Sequence, residues 1–99
     1  GGPMLKGEGG ACLGIHFSLS GAQVSVGRDP DSAVRLDDIS VSRHHAVLSL
    51  HGNQWFVTDM SSSRGTMKNG AFIEVGQQVL LNEGDQLQFG NSVLRFTSN

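Results

Sequence analysis

Apolar residues recur in runs of four to eight positions, split by short polar and glycine clusters. The clusters fall at Gly21 and at residues 28–32, 37–40, 52–53, 61–65, 69–70 and 82–85. That spacing predicts an all-β sandwich or barrel. No window of about 11 residues carries an apolar stripe at i, i+3, i+4, i+7, so no long helix is expected. Within 46–51, Ala46, Leu48 and Leu50 alternate with Val47, Ser49 and His51. Within 54–60, Phe56, Thr58 and Met60 alternate with Trp55, Val57 and Asp59. The Gly52-Asn53 pair between them fits a tight hairpin turn, and Asn69-Gly70 is a second such signal. Further strands are expected at 13–19, 23–26, 34–36, 72–74, 77–80, 86–89 and 93–97. Nine or more short strands must close their hydrogen bonds in two sheets or a barrel.

Residues 1–10 hold five glycines and one proline and read as a flexible lead-in. Its Gly-Gly-Pro-Met start looks like a cloning remnant, so the folded domain is expected over 11–98. Its ends, Ala11-Cys12 and Thr97-Ser98, are expected to lie close together. A length of 99 residues allows one domain with one compact core. With 37% hydrophobic and 16% charged residues, the chain has core material and no charged tail. A net charge of -2 gives no reason to expect a nucleic-acid or membrane-surface partner. No run of about 18 apolar residues suggests a membrane span. The single cysteine, Cys12, cannot form an internal disulfide, which fits a reducing, intracellular setting, cytoplasmic or nuclear.

Candidate chemistry lies in the loops. Arg28, Arg43, Arg64 and Lys68 fall in or beside them, with Ser40, Ser42, Ser61, Ser62, Ser63 and Thr66 as short hydroxyl donors. Gly27 and Gly65 permit close backbone approach. Arginine forks, hydroxyls and free main-chain N–H groups are what a tetrahedral dianion requires. The plain alternative is that these loop residues are simply solvated.

The order of these residues strongly resembles a forkhead-associated (FHA) domain. It runs Gly27-Arg28, Ser42-Arg43-His44-His45, Ser62-Ser63-Arg64-Gly65-Thr66, then Asn69-Gly70. Leu36-Asp37-Asp38, Val57-Thr58-Asp59, Gly84-Asp85 and Phe89-Gly90 match the flanks, so the resemblance covers about residues 13–97. It implies a β-sandwich of two sheets and about eleven strands whose loops bind phosphothreonine peptides. Carried over, Arg28, Ser42, Arg43 and Ser63 would contact the phosphate. Ser62, Arg64 and Lys68 would face the peptide, while Gly27, His45, Gly65, Thr66, Asn69 and Gly70 would shape the loops. A small apolar niche would favour phosphothreonine over phosphoserine. One position departs: Arg64 stands where the family usually has an Asn that bonds the peptide main chain. An arginine lacks the amide's acceptor and offers charge instead.

Other chemistries find little support. His44 and His45 are neighbours in an extended segment, point to opposite faces and cannot chelate one ion together. Cys12, His16 and His51 show no ligand spacing. Ser42, His45 and Asp59 are the residue types of a catalytic triad but lack a nucleophile elbow. No phosphate-cradling nucleotide motif is present, and 29–32 reads as a turn rather than a calcium loop. The expectation is a monomeric, non-enzymatic phosphothreonine-peptide module without metal or cofactor. The alternative is phosphate-independent binding or self-association on the same fold.

Overall fold

The computed structural model describes residues 1–99 and contains eleven strands in two sheets. They are β1 (Met4–Gly9), β2 (His16–Ser18), β3 (Gln23–Gly27), β4 (Val34–Arg35), β5 (Ala46–His51) and β6 (Gln54–Asp59). β7 (Thr66–Lys68), β8 (Ala71–Phe72), β9 (Val79–Leu81), β10 (Gln86–Phe89) and β11 (Ser92–Thr97) follow. One sheet runs β2-β1-β11-β10-β7-β8 and the other β4-β3-β5-β6-β9. All named pairs are antiparallel except β3–β4. The only helical element is a single 3-10 turn over Gly10–Cys12.

Period-two patterning builds the core. On β11, Ser92, Leu94 and Phe96 point inward while Val93, Arg95 and Thr97 do not. Leu48 and Val57 stand opposite each other in the β5–β6 hairpin, both fully buried. Trp55 is buried as well, and its neighbour Phe56 is half-buried. Seventeen apolar residues from both sheets form one cluster, the size a single small domain can sustain.

Three expectations are corrected. Residues 4–9 are no flexible lead-in: β1 pairs with both β11 and β2, and Leu5 is completely buried. The inward positions of β1 are Leu5 and Gly7, so one inward face carries no side chain and the alternation is hard to see. Gly7 is required there, because a Cβ would lie 1.8 Å from the Cys12 carbonyl oxygen. The closure of the chain accordingly pairs Met4 with Thr97, while Cys12 lies against Val93 through its thiol, 3.6 Å from the carbonyl. The strand expected over 13–19 shrinks to His16–Ser18, because 10–15 turns on bonds from Leu13 N–H to Gly10 and Ile15 N–H to Cys12. β7 was not expected at all, being three residues long and flanked by turns.

Leu5→Ala should therefore lower the unfolding free energy by about 2–5 kcal/mol, as other buried leucine truncations do. Denaturant titration measures it, and an unchanged midpoint would restore the flexible lead-in.

Candidate functional site

The loops after β3, β4, β6 and β10 meet at one end of the sandwich. They pack tightly at Gly27, where an added Cβ would lie 2.0 Å from the Arg43 carbonyl oxygen. That contact lets Arg28 N–H donate to the Ser42 carbonyl at 3.0 Å and Asp29 N–H to the Arg43 carbonyl at 3.2 Å. The Arg28 side chain is then oriented by its Nε, which donates to the Val41 carbonyl at 3.0 Å. Both terminal guanidinium nitrogens stay without a protein acceptor, so the fork remains available.

His45 ties the second loop to the third. It is completely buried; its Nδ1 accepts the Ser42 main-chain N–H at 3.1 Å and its Nε2 reaches the Gly65 carbonyl at 2.9 Å. Only the neutral ring protonated at Nε2 satisfies both bonds. Phe89 packs edge-on to the ring at 5.4 Å. Burial pushes the His45 pKa down, against the opposing pull of the Gly65 carbonyl and the Asp59 charge.

Two carboxylates organise the remaining backbone. Asp59, fully buried, accepts from the Ser62 N–H at 3.1 Å, the Ser62 hydroxyl, and the Thr66 hydroxyl at 2.7 Å. Burial would raise its pKa, but the bonds from Ser62 and Thr66 prevail and lower it. Asp38 accepts from Ser40 N–H and hydroxyl and from the Ser92 hydroxyl, and its pKa is lowered in the same way, bonds outweighing burial. The Ser40 hydroxyl oxygen in turn accepts Asn91 N–H at 2.7 Å, joining the β10–β11 turn to the β4–β5 loop.

The donors left facing solvent are few. The Ser42 oxygen accepts Ser63 N–H at 2.9 Å, which leaves the Ser42 hydroxyl proton for another acceptor. Ser63 is exposed beside it. The Arg43 side chain is 65% exposed and stands 3.7 Å from Asp29. Arg64 is exposed, has no hydrogen bond or ion pair, and acts on Asp38 only at longer range. The loop end thus brings together Arg28, Ser42, Arg43, Ser63 and Arg64, three guanidinium groups among them.

Two sequence candidates, Ser62 and Lys68, bond within the protein. Half-exposed Ser62 donates both its N–H and its hydroxyl proton to Asp59, so it helps to shape the loop. Lys68 lies at the end of β7 away from Thr66, where it donates to the Leu80 carbonyl at 3.2 Å and pairs with Asp85 at 3.7 Å. Its amine is held by Asp85, and no bond ties it to the anion loops. Asn69 stands there too, at φ 52, donating to Asp85 and accepting Gln86 N–H. Gly65 adopts φ 80 and Thr66 is buried on Asp59, both as loop-forming residues. His44, 79% exposed, lies 3.8 Å from Asp29, while its neighbour His45 points inward. Ser42 meets His45 through its main chain and not its hydroxyl, so these residues do not form a nucleophile–base pair. The roles of Asp38 and Ser40 went unread, although Asp-x-Ser in a polar cluster is a local turn signal.

The largest cleft, about 270 Å³ between Asn53, Trp55, Asn82 and Phe96, lies among the β5–β6 and β9–β10 turns, away from these loops. A second cleft, about 230 Å³, is lined by Ser25, Asp29, Asp31, Ser32 and His44 and borders the loops after β3 and β4.

The pH consequence follows from His45. The folded chain binds a proton there less readily than the unfolded chain, whose imidazole has the ordinary value near 6.5. Stability is therefore full above that value and falls as pH drops below it, by at most about 1.4 kcal/mol per pH unit. Asp38 and Asp59, lowered from 3.8, add a further loss only at more acidic pH. Urea unfolding between pH 7.5 and 5 should show the decline, and a flat profile contradicts the buried neutral ring.

Comparison with known proteins gives a consistent picture. The family model described as FHA domain matches residues 24–90. The chain is 38% identical over 96 residues to the glycogen accumulation regulator GarA of Mycobacterium tuberculosis, covering 97% of this chain. It is 36% identical over 96 residues to an oxoglutarate dehydrogenase inhibitor of Corynebacterium jeikeium, which it covers to 65%. The chain spans 57% of the length of GarA. A structure solved in work on phosphothreonine-dependent FHA domain interactions has a TM-score of 0.87 and 27% identity, covering 100% of this chain and 98% of that one. EmbR of Mycobacterium tuberculosis in complex with a low-affinity phosphopeptide also gives 0.87, with 29% identity over 98% of this chain and 24% of that one.

Proposed function

The chain belongs to the FHA family, and from that premise we propose that its loop end recognises a phosphothreonine-containing protein segment. One observation carries the reading: Arg28 holds an unoccupied guanidinium fork and bonds through its main chain to Ser42, whose hydroxyl proton is free on a loop that His45 ties in place. A phosphate dianion would take the Arg28 fork and the hydroxyls of Ser42 and Ser63. Arg43 would add charge from the side where it now leans on Asp29. These donors are positioned before the ligand arrives, so little ordering entropy opposes binding.

FHA domains are interaction modules, and we take the activity to be equilibrium binding rather than catalysis. The setting would be a signalling assembly inside the cell, the isolated domain acting as a monomer. The phosphorylated partner would dock as an extended segment across the loops.

Arg64 favours a second reading, phosphate-independent association through the same loops, because it replaces the family's peptide-bonding Asn. Arg28, Ser42 and Ser63 weigh against it. Paired phosphorylated and unphosphorylated threonine peptides separate the two. Under the phosphothreonine reading only the phosphorylated member binds.

For such a peptide, Arg28→Ala should cost about 2 kcal/mol or more, roughly thirtyfold in affinity, with the fold intact. Arg28→Lys should recover only part, since an ammonium is a point charge. Calorimetric titration measures both, and unchanged affinity in Arg28→Ala removes that residue from the site.

Arg64 is exposed, so its contribution should be screened by salt. Arg64→Asn should show a shallower salt dependence and a weaker preference for acidic peptides, while binding at least as well as the parent at high salt. Affinities at two salt concentrations for acidic and neutral peptides test this. Identical slopes and preferences would make Arg64 a bystander.

A further inference from the structure

Asp29 follows Arg28 in the β3–β4 loop, and its main chain is fully engaged there. Its N–H donates to the Arg43 carbonyl at 3.2 Å, and its own carbonyl accepts Ser32 N–H at 2.9 Å. Its side chain takes no part in that bonding. The carboxylate is only 19% exposed, yet its two oxygens meet nothing closer than two nitrogens of the neighbouring loop. One stands 3.7 Å from Arg43 Nη2 and the other 3.8 Å from His44 Nε2. Both separations are too long for hydrogen bonds and short enough for charge attraction. The same carboxylate lines the second cleft with Ser25 of β3, Asp31, Ser32 and His44. The charged groups that face His44 are therefore Asp29 and Asp31 from the β3–β4 loop, with Arg43 beside it in the chain.

We propose that Asp29 is an internal rival of the ligand phosphate for Arg43, and that protonation of His44 relieves the rivalry. The inference rests on the phosphothreonine reading and adds a regulatory element to it. With His44 neutral, Arg43 is the one cation at the Asp29 carboxylate. A phosphate then gains Arg43 only by stripping Asp29 of its partner. A protonated imidazole supplies the replacement charge, so Arg43 turns to the phosphate at smaller cost. An imidazole ordinarily changes charge near pH 6.5, so the relief acts just below neutrality. The mobility needed is present on the right side of the contact: Arg43 and His44 are exposed, while Asp29 is fixed by its main chain. Ion pairs with exposed partners are weak, which sets the expected scale at about threefold in affinity.

The probe is a phosphothreonine peptide with uncharged flanks, titrated calorimetrically beside its unphosphorylated twin. The full chain is compared with and without Asp29→Asn in three backgrounds: wild type, Arg43→Gln and His44→Gln. Thermal melts check folding. At pH 7.5, Asp29→Asn should bind the phosphopeptide about threefold more tightly, a gain that damage to the fold does not produce. Asp29→Ser should repeat it. In the Arg43→Gln background the gain should fall below about 1.5-fold, because the contested cation is gone. At about pH 6.0 the wild-type gain should shrink in the same way, whereas in His44→Gln it should stay at about twofold or more. Protonation of the phosphate itself near pH 6 is common to both backgrounds and cancels between them. The rivalry is refuted if neither Asp29 variant binds more tightly at pH 7.5. It is equally refuted if the whole gain survives in Arg43→Gln, since the carboxylate then repels the ligand directly. The role of His44 is refuted if acidification shrinks the gain equally with and without its imidazole. A wild type that does not distinguish the phosphorylated peptide from its twin would overturn the phosphothreonine reading, and the rivalry with it.

Discussion

The loop end depends on one buried imidazole. His45 has two ring nitrogens and no access to water, so each must find a partner inside the protein. One takes the main chain of Ser42 and the other the main chain of Gly65. The two loops that present Ser42, Arg43, Ser63 and Arg64 are therefore held at a fixed separation by a group that has one acceptable protonation state. Leaving either nitrogen unsatisfied would cost about 1–3 kcal/mol. The depressed proton affinity of His45 and the geometry of the anion loops are thus two expressions of the same constraint.

Around that tie, polar side chains are divided between those that build the loops and those that remain free. Asp59 gathers Ser62 and Thr66, and Asp38 gathers Ser40 and Ser92 across to β11. Gly27 admits the Arg43 carbonyl where any side chain would block it. What is left over is the Arg28 fork, the Ser42 hydroxyl proton and the Arg64 guanidinium, with Arg43 only leaning on Asp29. Loops that end in such donors suit recognition of a dianion.

Most of the architecture was legible because its strands alternate over four to six residues. Ala46–His51 and Gln86–Phe89 fall where the period-two pattern puts them, and Gly52-Asn53 turns the chain between β5 and β6. The strands that escaped are those whose inward positions carry no side chain or whose length is too short to alternate. β1 hides because Gly7 occupies a core position, and β7 because three residues cannot show a period. At the site, residue order located the loops, but order alone does not say which polar groups are already spent. Ser62 and Lys68 resemble donors in sequence and are consumed by Asp59 and Asp85 in the fold.

The most direct test of the central claim is to map a phosphothreonine peptide onto the backbone amides by 1H–15N NMR titration. The account predicts phosphate-dependent shifts centred on Arg28, Ser42, Arg43, Ser63 and Arg64, with the Nε2 proton of His45 protected throughout. Shifts centred instead on the cleft between Asn53 and Asn82 would contradict it. So would an identical pattern from the unphosphorylated peptide.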